Sequence, residues 1–467
     1  MNDLLQNFII DTDSYKTSHF LQYPPGTEHV SSYIEPRAGD GWQDVVFFGL
    51  QMFVEKYLMR PISSRDIIEA HDFWRDHGVP FNLEGWKYIY QVHGGYLPLQ
   101  ITALPEGMVV PRGTPLVQVM NTDPNVPWLT SYYETALLRA VWYPTTVATR
   151  SREIKKNIAA ELEWTSDDPA GQLPFKLHDF GGRGCTSFEQ AGLGGAAHLV
   201  NFMGTDTAPG AAYARKFYGE HMAGYSIPAA EHSTITSWGK SRELDAYANM
   251  LEQFPTGLVA VVSDSYDLYN AVDKLWGVEL RDKVLKRDGV TVIRPDSGDP
   301  MQMVSFTLNS LGRTFGYTTN SKGYKVLNNK IRIIQGDGVN DAAIPAILRG
   351  LREQGWSADN IAFGMGAGLL QNCTRDTLRF AMKASAIRVD GDWHEVFKDP
   401  ITDPGKASKR GIQHVCVKEG ELSINSTPGP ETVWYDMLQP AYTKASHNAE
   451  PDIRKDKFEY IRERAKI

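Results

Sequence analysis

Six times between residues 175 and 370 a short apolar run breaks off into a polar, mostly glycine-rich loop, and helix-like sequence takes up the chain again. Phe175–Leu177 leads into HDFGGRG and then SFEQAGLGGAAHLV. Ile227–Ala230 leads into EHSTITSWG, Leu258–Val262 into SDSYD, Val290–Ile293 into RPDSGDP, Ile331–Ile334 into QGDG, and Ile361–Phe363 into GMGAGLL. Short buried strands alternating with helices read as β-α units, and units of this kind build a parallel sheet. In such architectures the functional site lies at the carboxyl ends of the strands, which is where the polar loops fall in every unit here. The expected class is α/β, with a barrel-like sheet preferred over an open doubly wound one. No GxGxxG opens a first unit, which argues against dinucleotide binding.

The flanks have a different rhythm. Val45–Met59 reads as a buried helix, and Leu97–Val119 as short antiparallel strands broken by Pro and Gly. Trp128–Arg152 reads as a helix interrupted near Pro144. After Ala384 short strands and turns return, closing with a charged helix over Asp452–Lys466. Residues 1–150 plus 385–467 are therefore expected to form one α+β domain beside a β/α barrel of residues 151–384.

Composition narrows the function by exclusion. The 48 basic and 56 acidic residues leave a formal charge of −8, too weak and of the wrong sign for a nucleic-acid coat. No apolar run is long enough to span a membrane, and Asp3, Gln6 and Asn7 spoil a signal-peptide reading of the start. The three cysteines form no CxxC and the 12 histidines no close ligand cluster in sequence. A soluble, cytoplasmic protein is the expectation.

The strand-end loops carry the chemistry. In QGDG (Gln335–Gly338) and GMGAG (Gly364–Gly368) glycines let backbone N–H groups approach a phosphate, although each can also be a plain tight turn. Asp337 would repel phosphate and suits ribose hydroxyls or a phosphate-bound magnesium ion. In RPDSG, Arg294 can fork onto phosphate oxygens and Asp296 can accept from ribose hydroxyls; the bland alternative is a structural Arg–Asp pair. In HDFGGRG, Phe180 can stack on a flat ligand and Arg183 can reach an anion, against ordinary core packing for the ring. In AAEHST, His232 beside Glu231 can act as acid, base or phosphoryl acceptor. Asp264 and Asp267 of SDSYD are candidates to orient it, or merely to cap helices. KASKRG with Lys406, together with Lys398, Arg375 and Lys383, suits a diphosphate or triphosphate, or is solvated surface charge. Walker, HExxH and GxSxG motifs are missing.

In this order, with DTDSYKTSH (Asp11–His19), QYPPGT (Gln22–Thr27), WYPTTVATRSRE (Trp142–Glu153), HLVNFMGTDT (His198–Thr207), GYSIPAAEHSTITSWGK (Gly224–Lys240) and VFKDPITDP, these strings resemble the nicotinamide phosphoribosyltransferases of the type II phosphoribosyltransferase family. The resemblance runs from about residue 11 to residue 411. It implies transfer of the phosphoribosyl group from phosphoribosyl pyrophosphate to nicotinamide, giving nicotinamide mononucleotide and pyrophosphate. It also implies magnesium, ATP hydrolysed through a phosphohistidine, and a homodimer with interfacial active sites.

Carried over position by position, the resemblance puts Phe180 under the nicotinamide ring and Tyr15 of the partner subunit over it. Asp206 accepts from the carboxamide, flanked by Arg183 and Asp13. Arg294, Asp296, Gly336, Asp337, Gly366, Ala367 and Arg375 surround ribose and phosphate, and Lys383 and Lys406 the pyrophosphate. His232 is the phosphorylated histidine, with Glu231 and Asp267 beside it. The chain departs from the family pattern at Met365 and Ala367, where Ser and Gly are usual, and at Gly182, where Tyr is common. Transfer to nicotinate is the nearest rival activity, and Asp206 argues against it because it would repel a carboxylate substrate.

Overall fold

The computed structural model describes residues 4–467 except 419, 432, 434, 446 and 448. The chain divides into two compact units. One comprises Arg150–Arg215 with His221–Asn372; the other takes the chain up to Thr149, Lys216–Glu220 and Cys373–Lys466.

The first unit holds a curled sheet of six parallel strands: β1 (Leu177–Asp179), β2 (Gly204–Thr205), β3 (Thr256–Val262), β4 (Asp288–Arg294), β5 (Ile331–Gln335) and β6 (Ile361–Met365). From β3 to β6 neighbours in the sheet follow chain order, and β6 returns to pair with β1. The two edge strands, β2 and β3, are joined through residues 225–230. Parallel bridges link Gly204 to Tyr225 and Ala229 to Ala260, backed by Thr205 N–H to Tyr225 O at 3.0 Å and Ala230 N–H to Ala260 O at 2.9 Å. The ring is therefore closed, and closure removes the open edges through which sheets pair with other chains.

The interior is small. Ala260, Val292 and Ile334 are buried, with Ile227, Val290, Ala362 and Phe180 packed against them. Outside the sheet, the glycines of QAGLGG let helix Phe188–Leu199 approach helix Ala208–Tyr218: a Cβ on Gly195 would lie 2.8 Å from the Cα of Gly210. Lys176, just before β1, is fully buried. Its ammonium donates to the carbonyls of Ala358 (2.9 Å), Asp359 (3.1 Å) and Ile361 (3.0 Å), and burial pushes its pKa down to about 7.

The second unit is built on a seven-stranded antiparallel sheet. Its strands run in the order Asp392–Glu395, Phe380–Val389, Thr27–Pro36, Val117–Asn121, Leu99–Ala103, Gln439–Thr443, Asp452–Ile453. The two ends of the chain are interleaved here, because Phe380–Val389 pairs along the length of Thr27–Pro36. A division at residue 385 would cut that strand in half; the units separate at Asn372.

Several local expectations need correction. The helix at Pro144 is continuous over Glu134–Thr165. Proline costs a helix one hydrogen bond and a steric clash, yet tertiary packing holds this one: Gly49, at φ 111°, lies so close that a Cβ would meet the Pro144 ring at 2.3 Å. Val45–Met59 is split into strand Asp44–Val46, helix Leu50–Phe53 and a π-turn over Val54–Leu58. Residues 173–175 form a 3₁₀ turn, so β1 begins at Leu177. Ile227–Ala230 contributes bridges only, and the terminal helix is Phe458–Arg464. No helix among the described residues is long and apolar enough to cross a membrane.

Candidate active site

The polar loops meet at the carboxyl mouth of the barrel. Phe180 directly follows β1, and its N–H donates to Met365 O at 2.9 Å, which locks it across the β1–β6 pair. Its ring covers Gly364: a Cβ there would sit 1.9 Å from the Phe180 ring, and one on Gly336 would lie 3.6 Å from it. A glycine inside a strand normally marks such a close approach. One side of the ring thus packs on two strand-end glycines and the barrel interior, and the residue is only half-buried.

On the neighbouring strands, His178 Nε2 lies 3.0 Å from Asp206 Oδ1, and Ser226 Oγ donates to the same oxygen. Burial pushes the Asp206 pKa up, but these two donors outweigh it and the net shift is downward, so the carboxylate is ionised at neutral pH. The His178 ring sits 5.2 Å from that of Phe180, which sets aromatic face and carboxylate side by side. Behind them Asp179 is buried. It accepts from Gly181 N–H at 2.7 Å, its Oδ2 has no partner, and burial raises its pKa to about 6. Arg183 stands exposed on the 3₁₀ turn Gly181–Gly184.

His232 opens a five-residue helix after the bridging segment. Its Nδ1 contacts Ser265 Oγ at 3.0 Å; its Nε2 faces Asp296 Oδ2 at 3.5 Å and Asp264 Oδ1 at 3.8 Å. Asp267 is not the orienting acid: it caps helix Leu268–Asn270, accepting from Asn270 N–H at 3.1 Å. Asp264 is the carboxylate turned inward. Its side chain is 3 % exposed, its Oδ2 accepts from Asp296 N–H at 3.0 Å and from Ser297, and its Oδ1 is buried without a hydrogen-bond partner. Glu231 is the N-cap of the His232 helix and accepts from Ser233.

Arg294 and Asp296 do pair, at 3.2 Å. The Asp296 pKa is nevertheless raised, first by burial and then by the repulsion of Asp264 and Asp337, with Arg294 and His232 opposing. Asp337 is exposed, and Gly338 adopts a left-handed φ of 66° against Pro300. The helix beyond QGDG starts only at Ala343, so its N-terminus is not at the loop. GMGAG runs into a helix of only five residues, Ala367–Gln371, with Gly366 as N-cap and open space where its Cβ would be. The Ala367 methyl faces Gly184, where a Cβ would meet it at 2.7 Å, and Met365 is buried.

Sequence reasoning missed Arg150. This buried guanidinium lies 3.2 Å from Asp341 in the loop after β5, and donates to the carbonyls of Gly368 (2.9 Å), Leu369 (3.3 Å) and Asn372 after β6. One side chain thus ties together both glycine loops.

The second unit carries the remaining candidates. Arg375, Lys383 and Lys406, joined by Arg37, Arg379 and Lys398, line a cavity of about 360 Å³ with Glu134 and Asp376. Burial lowers the Lys383 pKa; Glu134 opposes the shift, while Arg37 and Lys398 add to it. Tyr15 is 61 % exposed, its ring 5.1 Å from that of His19, and Asp13 accepts from Thr135 at 2.7 Å.

Comparison with known proteins bears on the fold and the family. Residues 175–432 match the profile of the nicotinate phosphoribosyltransferase (NAPRTase) family, and residues 7–101 that of the nicotinamide phosphoribosyltransferase N-terminal domain. Among solved structures, nicotinate-nucleotide pyrophosphorylase from Pyrococcus furiosus superposes with a TM-score of 0.61 at 14% identity, covering 100% of this chain and 96% of its own. Human nicotinic acid phosphoribosyltransferase gives 0.55 at 15%, covering 100% and 93%. Both share the fold. The family match over more than half of the chain makes this protein a phosphoribosyltransferase, an enzyme of the pentosyltransferase class.

Sequence relatives narrow the class. A nicotinamide phosphoribosyltransferase of Xanthomonas campestris is 54% identical over 409 residues, 87% of each chain. One of Acinetobacter baylyi is 33% identical over 440 residues, 86% of this chain and 87% of its own. The chain belongs to the nicotinamide phosphoribosyltransferase family.

Proposed function

We propose that the protein transfers the 5-phosphoribosyl group of phosphoribosyl pyrophosphate to the ring nitrogen of nicotinamide, releasing pyrophosphate, as a step of NAD biosynthesis. The observation that carries this reading is the ionised Asp206 beside the half-buried face of Phe180. A carboxylate accepts from a carboxamide N–H and repels a carboxylate, so it selects nicotinamide over nicotinate. Phe180 offers the flat face on which the ring stacks. Tyr15 and Asp13, supplied by a second copy of the chain in a homodimer, are proposed to cover it, and the exposed Tyr15 ring is in keeping with that role.

Asp296 and Arg294 hold ribose and 5-phosphate with the backbone of Gly336 and Gly366, while the cationic pocket of Arg375, Lys383 and Lys406 matches the charge of the leaving pyrophosphate. The pyridine nitrogen is already nucleophilic, so no base is required; catalysis rests on binding and charge stabilisation. Asp296 and Asp337 are proposed to hold ribose hydroxyls or magnesium-bound water, and Asp264 Oδ1 beside Asp296 is a further acceptor without a partner. Bound magnesium supplies neutralisation of the diphosphate charge.

His232 is proposed to take the γ-phosphoryl group of ATP on a ring nitrogen, with ADP leaving, and to give it up to water as inorganic phosphate, which couples hydrolysis to transfer. Ser265 positions the ring through Nδ1, and Asp296 and Asp264 face its other nitrogen. The decisive assay is pyrophosphate release from phosphoribosyl pyrophosphate with nicotinamide, nicotinate or no base. Nicotinamide-dependent release is expected. Release only with nicotinate would replace this reading with the acid-specific activity, and release without a base would remove both.

A further inference from the structure

We propose that His93, Asp123 and His447 form a binding site for a divalent transition metal of the zinc type, which fastens the chain around residue 447 to the end of helix Leu83–His93. Their ligand atoms all lie within 4.8 Å of one another, the one such cluster among the described residues. His93 Nε2 is 2.8 Å and His447 Nε2 3.7 Å from Asp123 Oδ2, and the imidazoles stand at 87° with centroids 4.7 Å apart. A zinc ion bonds nitrogen at ~2.0–2.1 Å and carboxylate oxygen at ~2.0–2.2 Å. It therefore needs only small shifts here, and the exposed His447 is free to make them.

The surroundings suit a ligand set. Asp123 is held in place through Oδ1 by Asn125 N–H (2.8 Å) and Nδ2 (2.9 Å), and through Oδ2 by the Tyr88 hydroxyl (2.9 Å). Hydrogen-bonded carboxylates of this kind are the usual outer support of a metal site. The buried Nδ1 of His93 has no partner that would fix its tautomer, so Nε2 can exchange its proton for a metal. Lys444 stands nearby, its ammonium turned to the carbonyls of His447 (3.3 Å) and Ala449. Its charge works against hard cations bound by electrostatics alone, and two imidazoles favour zinc over magnesium or calcium. None of the three ligands belongs to the substrate site.

The test uses the full chain, stripped with a chelator and titrated with Zn2+ against a chromophoric chelator, in parallel with His447→Ala. His447 is exposed, so its loss leaves the fold intact; a Zn2+-free melting curve checks this. A single equivalent is expected to bind, to raise the Tm, and to bind about tenfold or more weakly in the variant. Co2+ should give a tetrahedral absorption band that His447→Ala diminishes. No binding by the parent chain overturns the site, and so does binding or a Co2+ spectrum that His447→Ala leaves unchanged.

Discussion

His178 and Asp206 meet at 3.0 Å across the paired strands β1 and β2, and Ser226 from the bridging segment completes the grip on the same carboxylate oxygen. The acid proposed to read the pyridine substituent is thus held by the closure of the barrel itself. Replacing it isosterically, Asp206→Asn, keeps the shape but supplies an amide donor. The ratio of pyrophosphate release with nicotinamide to that with nicotinate should fall about 10- to 100-fold, the worth of one polar interaction in such a pocket. An unchanged ratio would separate residue 206 from base recognition.

The position of His232 leads to a second expectation. His232→Ala should abolish stimulation by ATP while leaving slow transfer, because the ring takes no part in stacking or ribose binding. Ser265→Ala, which removes the hydroxyl at Nδ1, should weaken the stimulation without eliminating it. Measuring ADP formed per nicotinamide mononucleotide formed decides the matter; full coupling in His232→Ala would refute the role.

Asp179 makes the stability depend on pH. Unfolded, it loses its proton near 3.8; folded, burial holds the proton to about pH 6. Between those values the folded state binds more protons than the unfolded one, so stability falls as pH rises, by about 3 kcal/mol in total for this group. Asp179→Asn keeps the acceptor for Gly181 N–H and removes the ionisation. Urea unfolding at pH 4 and pH 7 should show the variant losing less stability than the parent over that interval.

Arg150 is expected to act on phosphate binding without touching substrate. Arg150→Lys keeps the charge but cannot reach Asp341 and the carbonyls beyond β6 together. The KM for phosphoribosyl pyrophosphate should rise about tenfold with the KM for nicotinamide near the parent value, since the ordering lost is that of the two glycine loops. Steady-state kinetics varying each substrate in turn would reveal it; parallel rises in both constants would mark a general loss of structure.

Much of this molecule is legible from local sequence. Five of the six strands of the parallel sheet declare themselves through an apolar run and a polar turn, while the two-residue strand Gly204–Thr205 leaves no such run and Ile227–Ala230, which has one, forms bridges only. The loops that carry Phe180, His232, Arg294, Asp337 and Gly366 could be placed at strand ends for the same reason. The choice between Asp264 and Asp267 could not: both follow β3 closely, and only the packing of the next strand's loop turns Asp264 inward. Gly364 does leave a signal, a glycine within an apolar strand, but its meaning appears only when the Phe180 ring lies on it.

What the amino-acid order determined alone is most of the barrel's strands and which polar residues follow them. Closure through residues 225–230, the continuous helix through Pro144, the reach of Arg150 across two loops, and the meeting of His93, Asp123 and His447 were decided by tertiary structure. Those contacts join residues tens to hundreds of positions apart, and no local propensity encodes them. They form because buried polar groups must find partners and the sheet must satisfy its edges, conditions that exist only once the whole chain has packed.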